Sequence, residues 1–432
     1  MDKRFQVFQR MKINNSIKEF EMDNDDKKYI PSLRFPEFLN DGEWEIRKLS
    51  NIAIRKNKKN KLGSRLPIYT NSAVNGVVNQ EDFFDREIVT KDNLVNYGII
   101  ESNDFVYNPR VSTAAPVGPI SRNKLSKGIM SPLYLIFGFE KGNLDFFEYY
   151  FKGSGWHNYL KAKANYGARF DRINITTDDF MDMPIPYPHI TEQKKIADCL
   201  SSLDKYINAT KQKLEQLKEH KKGLMQRLFP AKGKTIPELR FPEFQNDEDW
   251  YYEYGNILYD SIVNKNHNSE LPILAITQDN GAVPRDMINY RVVVEDKSIE
   301  GYKVVEVGDF IISLRSFQGG IEYSKYKGLC SPAYIVLRKK HNKTHDNFYR
   351  HYFKSYQYIQ ELNRNLEGIR DGKMVSYKQF SEIKIPYPQY EEQCKIADCL
   401  SSLDTIIKYN KDRIEKLELH KKGLMQQLFL KY

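Results

Sequence analysis

From Ile196 onward, apolar residues return at Leu200, Leu203, Ile207, Leu214, Leu217, Leu224 and Leu228. Steps of three and four place such residues on one stripe of an α-helix, so the pattern predicts a coiled-coil seam. The stripe recurs at Ile396, Leu400, Leu403, Ile407, Ile414, Leu417, Leu424 and Leu428. Polar Thr210 or Asn410 and Lys221 or Lys421 stand at equivalent seam positions. Pro188 and Pro388 stop any earlier helix, and Glu192, Glu391 and Glu392 fall in the first turn, where the helix dipole favours acids. At 1.5 Å per residue, Ile196 to Leu228 makes a rod of roughly 50 Å. One stripe alone also suits ordinary packing in a helical bundle. Two near-identical stripes predict rods that pair with each other, antiparallel, since the chain order is domain, rod, domain, rod.

The segments before each rod have a different rhythm. Short apolar runs at Asp104 to Tyr107, Leu133 to Phe137, Arg291 to Val294, Asp309 to Leu314 and Tyr334 to Leu337 predict strands, with turns at Asn75-Gly76 and Asn280-Gly281. Phe146 to Ala164 and Asp346 to Leu366 read as helices.

Self-similarity sets the organisation. Ile30 to Phe38 reads IPSLRFPEF and is closed by Trp44; Ile236 to Phe244 reads IPELRFPEF and is closed by Trp250. Each copy ends in IPYP, at Ile185 to Pro188 and Ile385 to Pro388, then EQ, KIADCLSSLD and HKKGLMQ, with roughly 29 of 45 aligned residues identical. Between these blocks only landmarks are shared: Leu66-Pro67-Ile68 with Leu271-Pro272-Ile273, Asp104-Phe105 with Asp309-Phe310, and Ser131-Pro132 with Ser331-Pro332. The expected division is a leader over 1–29, a globular domain over 30–184, a spacer helix over 185–230, a second domain over 231–384 and a second spacer helix over 385–432. The fold class is α+β: two globular α/β domains separated by two long antiparallel coiled-coil helices, as a pseudo-two-fold internal repeat. Identical connectors around different domains suit a device whose spacing is fixed while its two surfaces differ.

Composition narrows the function. The chain has 432 residues, 40% hydrophobic and 29% charged, with 29 Tyr and 24 Phe, enough to bury several cores. A formal net charge of +10 favours a polyanionic partner, because cations near phosphates release condensed counterions. No apolar run is long enough for a membrane span and no secretory leader is legible, so a cytoplasmic protein is expected, without membrane contact. Cys199, Cys330, Cys394 and Cys399 form no CxxC pair and read as reduced packing thiols.

The blocks PSLRFPEF with Trp44, PIPYPHITEQKKIADCLSSLD and HKKGLMQRLFP, each with its second copy, resemble the specificity (S) subunits of type I restriction-modification systems, over essentially the whole chain after Lys28. The long leader, Met1 to Lys28, departs from that pattern. The resemblance implies that the divergent interiors are target-recognition domains, each reading one half of a bipartite, asymmetric site in double-stranded DNA. It implies that the conserved helices dock two modification (methyltransferase) subunits, through which restriction subunits join. The chain itself is then a non-catalytic subunit without a cofactor, and S-adenosylmethionine, ATP and Mg belong to partner subunits. A coiled-coil interaction scaffold without DNA readout, or a specificity subunit of another restriction class, remain the alternatives.

Candidate DNA contacts follow from residue type. Arg55, Lys56, Lys58, Lys59, Lys61 and Arg65, with no acid among them, suit phosphate contacts, although a solvated loop would have the same composition. Base-edge readers are expected among Asn71, Ser72, Arg110 and Arg169 in the first domain and Gln278, Arg315, Gln318 and Lys373 in the second. Arg110 and Arg315 hold equivalent places, six residues after Asp104 and Asp309; a structural ion pair is the plain alternative for each. Gly167-Ala168-Arg169 and Gly372-Lys373-Met374 suit either DNA contact or a hinge. Enzymatic motifs are missing. Tyr107-Asn108-Pro109-Arg110 only partly echoes an amino-methyltransferase motif. The grouping of Asp371 with Glu382 and Lys384 has no counterpart at Asp182-Met183-Pro184, no GxxxxGK[ST] loop occurs, and the histidines show no zinc spacing.

Overall fold

The computed structural model describes residues 29–81, 91–164, 171–268, 270–288, 299–364 and 375–430. The expected leader over Met1 to Lys28, the strand expected at Arg291 to Val294, and the candidates Arg169 and Lys373 lie outside them. The chain forms two compact units: Met1–Ala209 together with Ile414–Tyr432, and Thr210–Arg413. Each unit holds one globular domain, the first half of one long helix and the last half of the other.

In the first unit, one antiparallel sheet has the order Ala53–Arg55, Leu135–Phe139, Phe105–Tyr107, Ile120–Arg122. A second runs Gly76–Asn79, Ile68–Ser72, Gly128–Met130, Gly98–Ile100. The opening block leads into Glu45–Lys48, which pairs antiparallel with Pro184–Tyr187 of the closing block, so the domain begins and ends at the same place. The second unit repeats the plan. Its four-stranded sheet has the order Tyr259–Ile262, Ile335–Lys339, Phe310–Ile312, Glu322–Tyr323, and Tyr251–Tyr254 pairs with Lys384–Tyr387. Its other sheet is split into two antiparallel pairs joined by an isolated parallel bridge, Ile273 to Leu329, where the first domain pairs Ile68 with Ile129. Gly76 and Gly281 adopt φ of 67° and 73° at the two expected hairpin turns, a region glycine enters without a Cβ clash.

The expected helix over Phe146 to Ala164 is two helices, Leu144–Lys152 and His157–Lys163. The chain breaks at Gly153, and the buried Trp156 indole takes the freed carbonyls of Phe151 and Gly153 at 3.2 and 3.1 Å. The second domain breaks likewise, into Asp346–Tyr352 and Tyr356–Arg364. Apolar periodicity runs through both breaks because both helices face the same core, and so it did not reveal them.

The long helices are Ile190–Leu228 and Tyr390–Leu428, 39 residues each, or about 58 Å. They begin a turn and a half before the first seam isoleucine, because polar contacts rather than apolar ones hold that turn. In the first unit, Ile196, Leu200, Leu203 and Ile207 share a core with Leu424 and Leu428, and the Lys421 ammonium reaches Asp204 at 2.5 Å. In the second, Leu224 and Leu228 share a core with Ile396 and Leu400, and Lys221 reaches Asp404 at 2.5 Å. The start of one helix thus packs on the end of the other in both units, as antiparallel pairing requires. Leu214 and Ile414 are buried, whereas Leu217, Leu403, Ile407 and Leu417 are half-buried. The seam lysines extend their stems along the apolar stripe and place their charges on acids at its edge. Thr210 and Asn410 are buried, and the Asn410 amide donates to its own helix at Ile406.

All four cysteines are free, and burial pushes the Cys199 and Cys330 thiols up to about 11 and about 12, as for packing groups. No helix among the described residues is long and apolar enough to cross a membrane, and no group of three or more His, Cys, Asp or Glu there could hold a metal ion.

Candidate nucleic-acid interface

The domains are set on their helices by a clasp that the apolar pattern does not show. Arg34 of RFPEF donates from Nε and Nη2 to the two oxygens of Glu192, each at 2.7 Å, and the Trp44 indole donates to the same carboxylate at 3.1 Å. Glu192 is 1% exposed. In the second copy Arg240 donates to both oxygens of Glu392 at 2.8 Å and Trp250 adds a bond at 2.9 Å. The hydrogen bonds to Glu392 raise the Arg240 guanidinium above its ordinary value. One turn along, Lys195 and Lys395 pair with Glu37 and Glu243 at 2.8 Å and lie over the Phe35 and Phe241 rings. The glutamine of EQ completes the fixture. Gln193 accepts from the Asn143 amide and donates to the Pro188 carbonyl; Gln393 accepts from His345 and donates to Pro388. Sequence reasoning assigned Glu192 only to the helix dipole. The signal was present, because Arg, Trp and Glu-Gln recur together in both copies.

The basic segment is not the free loop its composition allows. Arg55 ends a paired strand, the amide of Lys56 donates to Ile136, Lys58 accepts from Ile99, and Lys59 bridges to Gly98. The side chain of Asn60 is buried and closes the next turn through both Ser64 N and Ser64 O at 3.0 Å. The side chains of Arg55, Lys56, Lys58, Lys59, Lys61 and Arg65 are exposed, and none has an ion-pair partner among the described residues. Lys56 lies by Asp104, whose carboxyl is pushed up by burial, against a backbone hydrogen bond and the Lys56 charge.

The base-reader candidates divide. Asn71 is a correction: it is 2% exposed and donates to the carbonyls of Val106 and Pro119, so it ties the two sheets of its domain together and offers nothing to a groove. The Ser72 hydroxyl accepts from Val74 and Asn75 and shapes the hairpin turn. Arg110 and Arg315 are exposed, with no ion pair among the described residues; the carboxylate of Asp309 is taken instead by Arg338, at 2.8 and 2.7 Å. Gln278 and Gln318 are exposed and adjacent: Gln318 is on the short helix Ser316–Gly319, and Gln278 packs so closely on Gly319 that a Cβ there would stand 2.6 Å from its side chain. Lys354 joins this cluster to the sheet by donating to the Gln278 carbonyl and pairing with buried Glu322.

The site is thus two domains of one plan, each exposing different basic and amide side chains and fixed to its helix by the same clasp. The family model for the type I restriction modification DNA specificity domain matches twice, over residues 41–219 and 231–419. The chain belongs to this family and is a type I restriction-modification DNA-specificity subunit. It is 26% identical over 422 residues to the specificity subunit assigned to the MjaX type I restriction enzyme of Methanocaldococcus jannaschii, covering 89% of this chain and 92% of that protein. It is 28% identical over 269 residues to the MjaVIII specificity subunit of the same organism, covering 58% and 62%. Among solved structures it resembles the type I restriction-modification S subunit of M. genitalium, with a TM-score of 0.53, 15% identity and 91% and 98% of the two chains covered. A chain from a study of assembly and conformational transition in a type I system gives 0.52, 16%, 89% and 97%.

Proposed function

We propose that this subunit reads a bipartite, asymmetric site in duplex DNA, one half-site per divergent domain, and that its long helices carry two modification subunits. Restriction subunits join through these. The observation that carries the reading is the twin Arg-Glu-Trp clasp: two unlike surfaces are mounted by like fixtures, which is what a fixed spacing between unlike half-sites requires. The chain acts without chemistry of its own, inside the cell with its DNA, while methyl transfer, ATP hydrolysis and cleavage, with S-adenosylmethionine, ATP and Mg, belong to the partners. The exposed cations at Arg55 to Arg65 supply the sequence-independent phosphate grip.

Domain exchange tests this. Replacing residues 45–184 by the corresponding domain of another specificity subunit, assembled with the modification subunits, should change one half of the methylated motif and leave the other half and the spacer intact. An unchanged motif in genome-wide methylation mapping would refute the assignment.

A further inference from the structure

The first domain contains an open cleft of about 470 Å³ between the Pro132–Leu135 turn and the segment from Arg172 to Thr177. Two arginines, Arg55 and Arg172, line it, and no carboxylate does. Both stand on fixed backbone. Arg55 pairs with Phe137 in the sheet; Arg172 bridges to Arg110, and the residues on either side of it are tied to Val111 and Pro109 by hydrogen bonds. Arg172 has one acid nearby, the exposed neighbouring Asp171, at 3.9 Å. Tyr134 on the opposite wall is held by Thr70 at 3.0 Å, Leu133 at the lip is 57% exposed, and Asn174 is exposed at the rim. A cleft with two rigidly rooted guanidinium groups, an apolar lip and a free carboxamide suits a phosphate flanked by a sugar and a base edge.

The turn on one wall of this cleft recurs in the second domain. There Ser331-Pro332-Ala333-Tyr334 is closed by the Tyr334 amide on the Ser331 carbonyl at 3.0 Å, as the Tyr134 amide closes on Ser131 at 3.1 Å. The turn is thus common to both copies, as expected for a shared mount.

We propose that the first-domain cleft seats the sugar-phosphate of one strand of its half-site, with Arg55 and Arg172 on the phosphate and Asn174 on the adjoining base edge. Arg172 and Asn174 are then specificity-determining residues, neither of them marked by sequence composition. The inference rests on the two-half-site reading above.

The test uses the full chain assembled with its modification subunits, carrying Asn174→Ala, Arg172→Ala or Arg172→Lys, with methylation mapped genome-wide and binding measured on a duplex of the wild-type motif. Asn174→Ala should relax one position in one half-site and leave the other half-site as it was. Arg172→Ala should weaken binding by roughly tenfold or more, and Arg172→Lys should recover part of that loss by restoring charge without the fork. An unchanged motif with affinity within twofold of wild type would overturn the assignment, as would equal relaxation of both half-sites or failure of Asn174→Ala to assemble. If the wild-type complex itself methylates no bipartite motif, the broader reading fails and this one with it. A bipartite wild-type motif that Asn174→Ala leaves untouched removes the cleft assignment alone.

Discussion

Glu192 shows how much one side chain decides. It is acidic, buried and 158 positions from Arg34 in the chain, and its two oxygens receive three charged or indole donors. Removing one member of such a pair leaves the other charged and desolvated, which costs about 3–5 kcal/mol. Glu192→Ala and Glu392→Ala should each destabilise their unit by that amount in chemical denaturation, and a loss below about 1 kcal/mol would remove the clasp as a structural principle. His351 offers a second test. Burial holds its imidazole far below the usual range, reinforced by the nearby charges of Lys221, Arg350 and Lys325. The Asp404 carboxylate 3.9 Å away does not reverse this, because Lys221 and Arg350 already occupy it. The depressed folded-state pKa means that the unfolded chain binds this proton first as pH falls. The stability it contributes is therefore present above about pH 6.5 and lost below, at about 1.4 kcal/mol per pH unit. His351→Gln should flatten the acid limb of a stability-pH curve by about that slope; an unaltered limb would mean the ring charges freely in the fold.

At the scale of elements, the long helices were legible because a seam is a local repeat: each apolar residue announces the next, three or four positions on. Leu200 and Leu400 are fully buried at equivalent places. Truncating either to Ala should cost about 2–5 kcal/mol by urea titration, and the two costs should be similar; a loss below about 1 kcal/mol for either would mean its seam is not packed. The first turns of the same helices were marked by Pro188, Pro388 and the acids that follow, but the partners of the Glu-Gln pair were not, since donors so distant in the chain leave no periodicity. The basic segment was recognised by charge, but whether it was ordered depended on backbone bonds to Gly98 and Ile99. Lys58→Ala, Lys59→Ala and Lys61→Ala combined should lower the slope of log affinity against log salt by up to about three, one phosphate each. An unchanged slope would assign these lysines to solvent.

For the whole molecule, both helices run unbroken from one unit into the other, so their residue count is the natural candidate for what fixes the spacer. Removing Asn208–Leu214 together with Lys408–Ile414 shortens each helix by about 10 Å. The methylated motif should then lose about three base pairs of spacer, or methylation should cease; an unaltered spacer would show that the helices do not set it.

The sequence by itself determined the repeat, the two domains, the paired helices and the family, because all of these are written in short-range periodicity or literal duplication. Tertiary structure alone decided that Asn71 is a buried tie rather than a reader, that Gly153 splits a helix, that Glu192 belongs to Arg34 and Trp44, and that Arg55, Arg172 and Asn174 meet at one cleft. The reason is physical. Local pattern fixes what an element is, but whether a polar group faces water or a distant partner depends on desolvation and pairing between residues far apart in the chain, and only the folded packing brings those together.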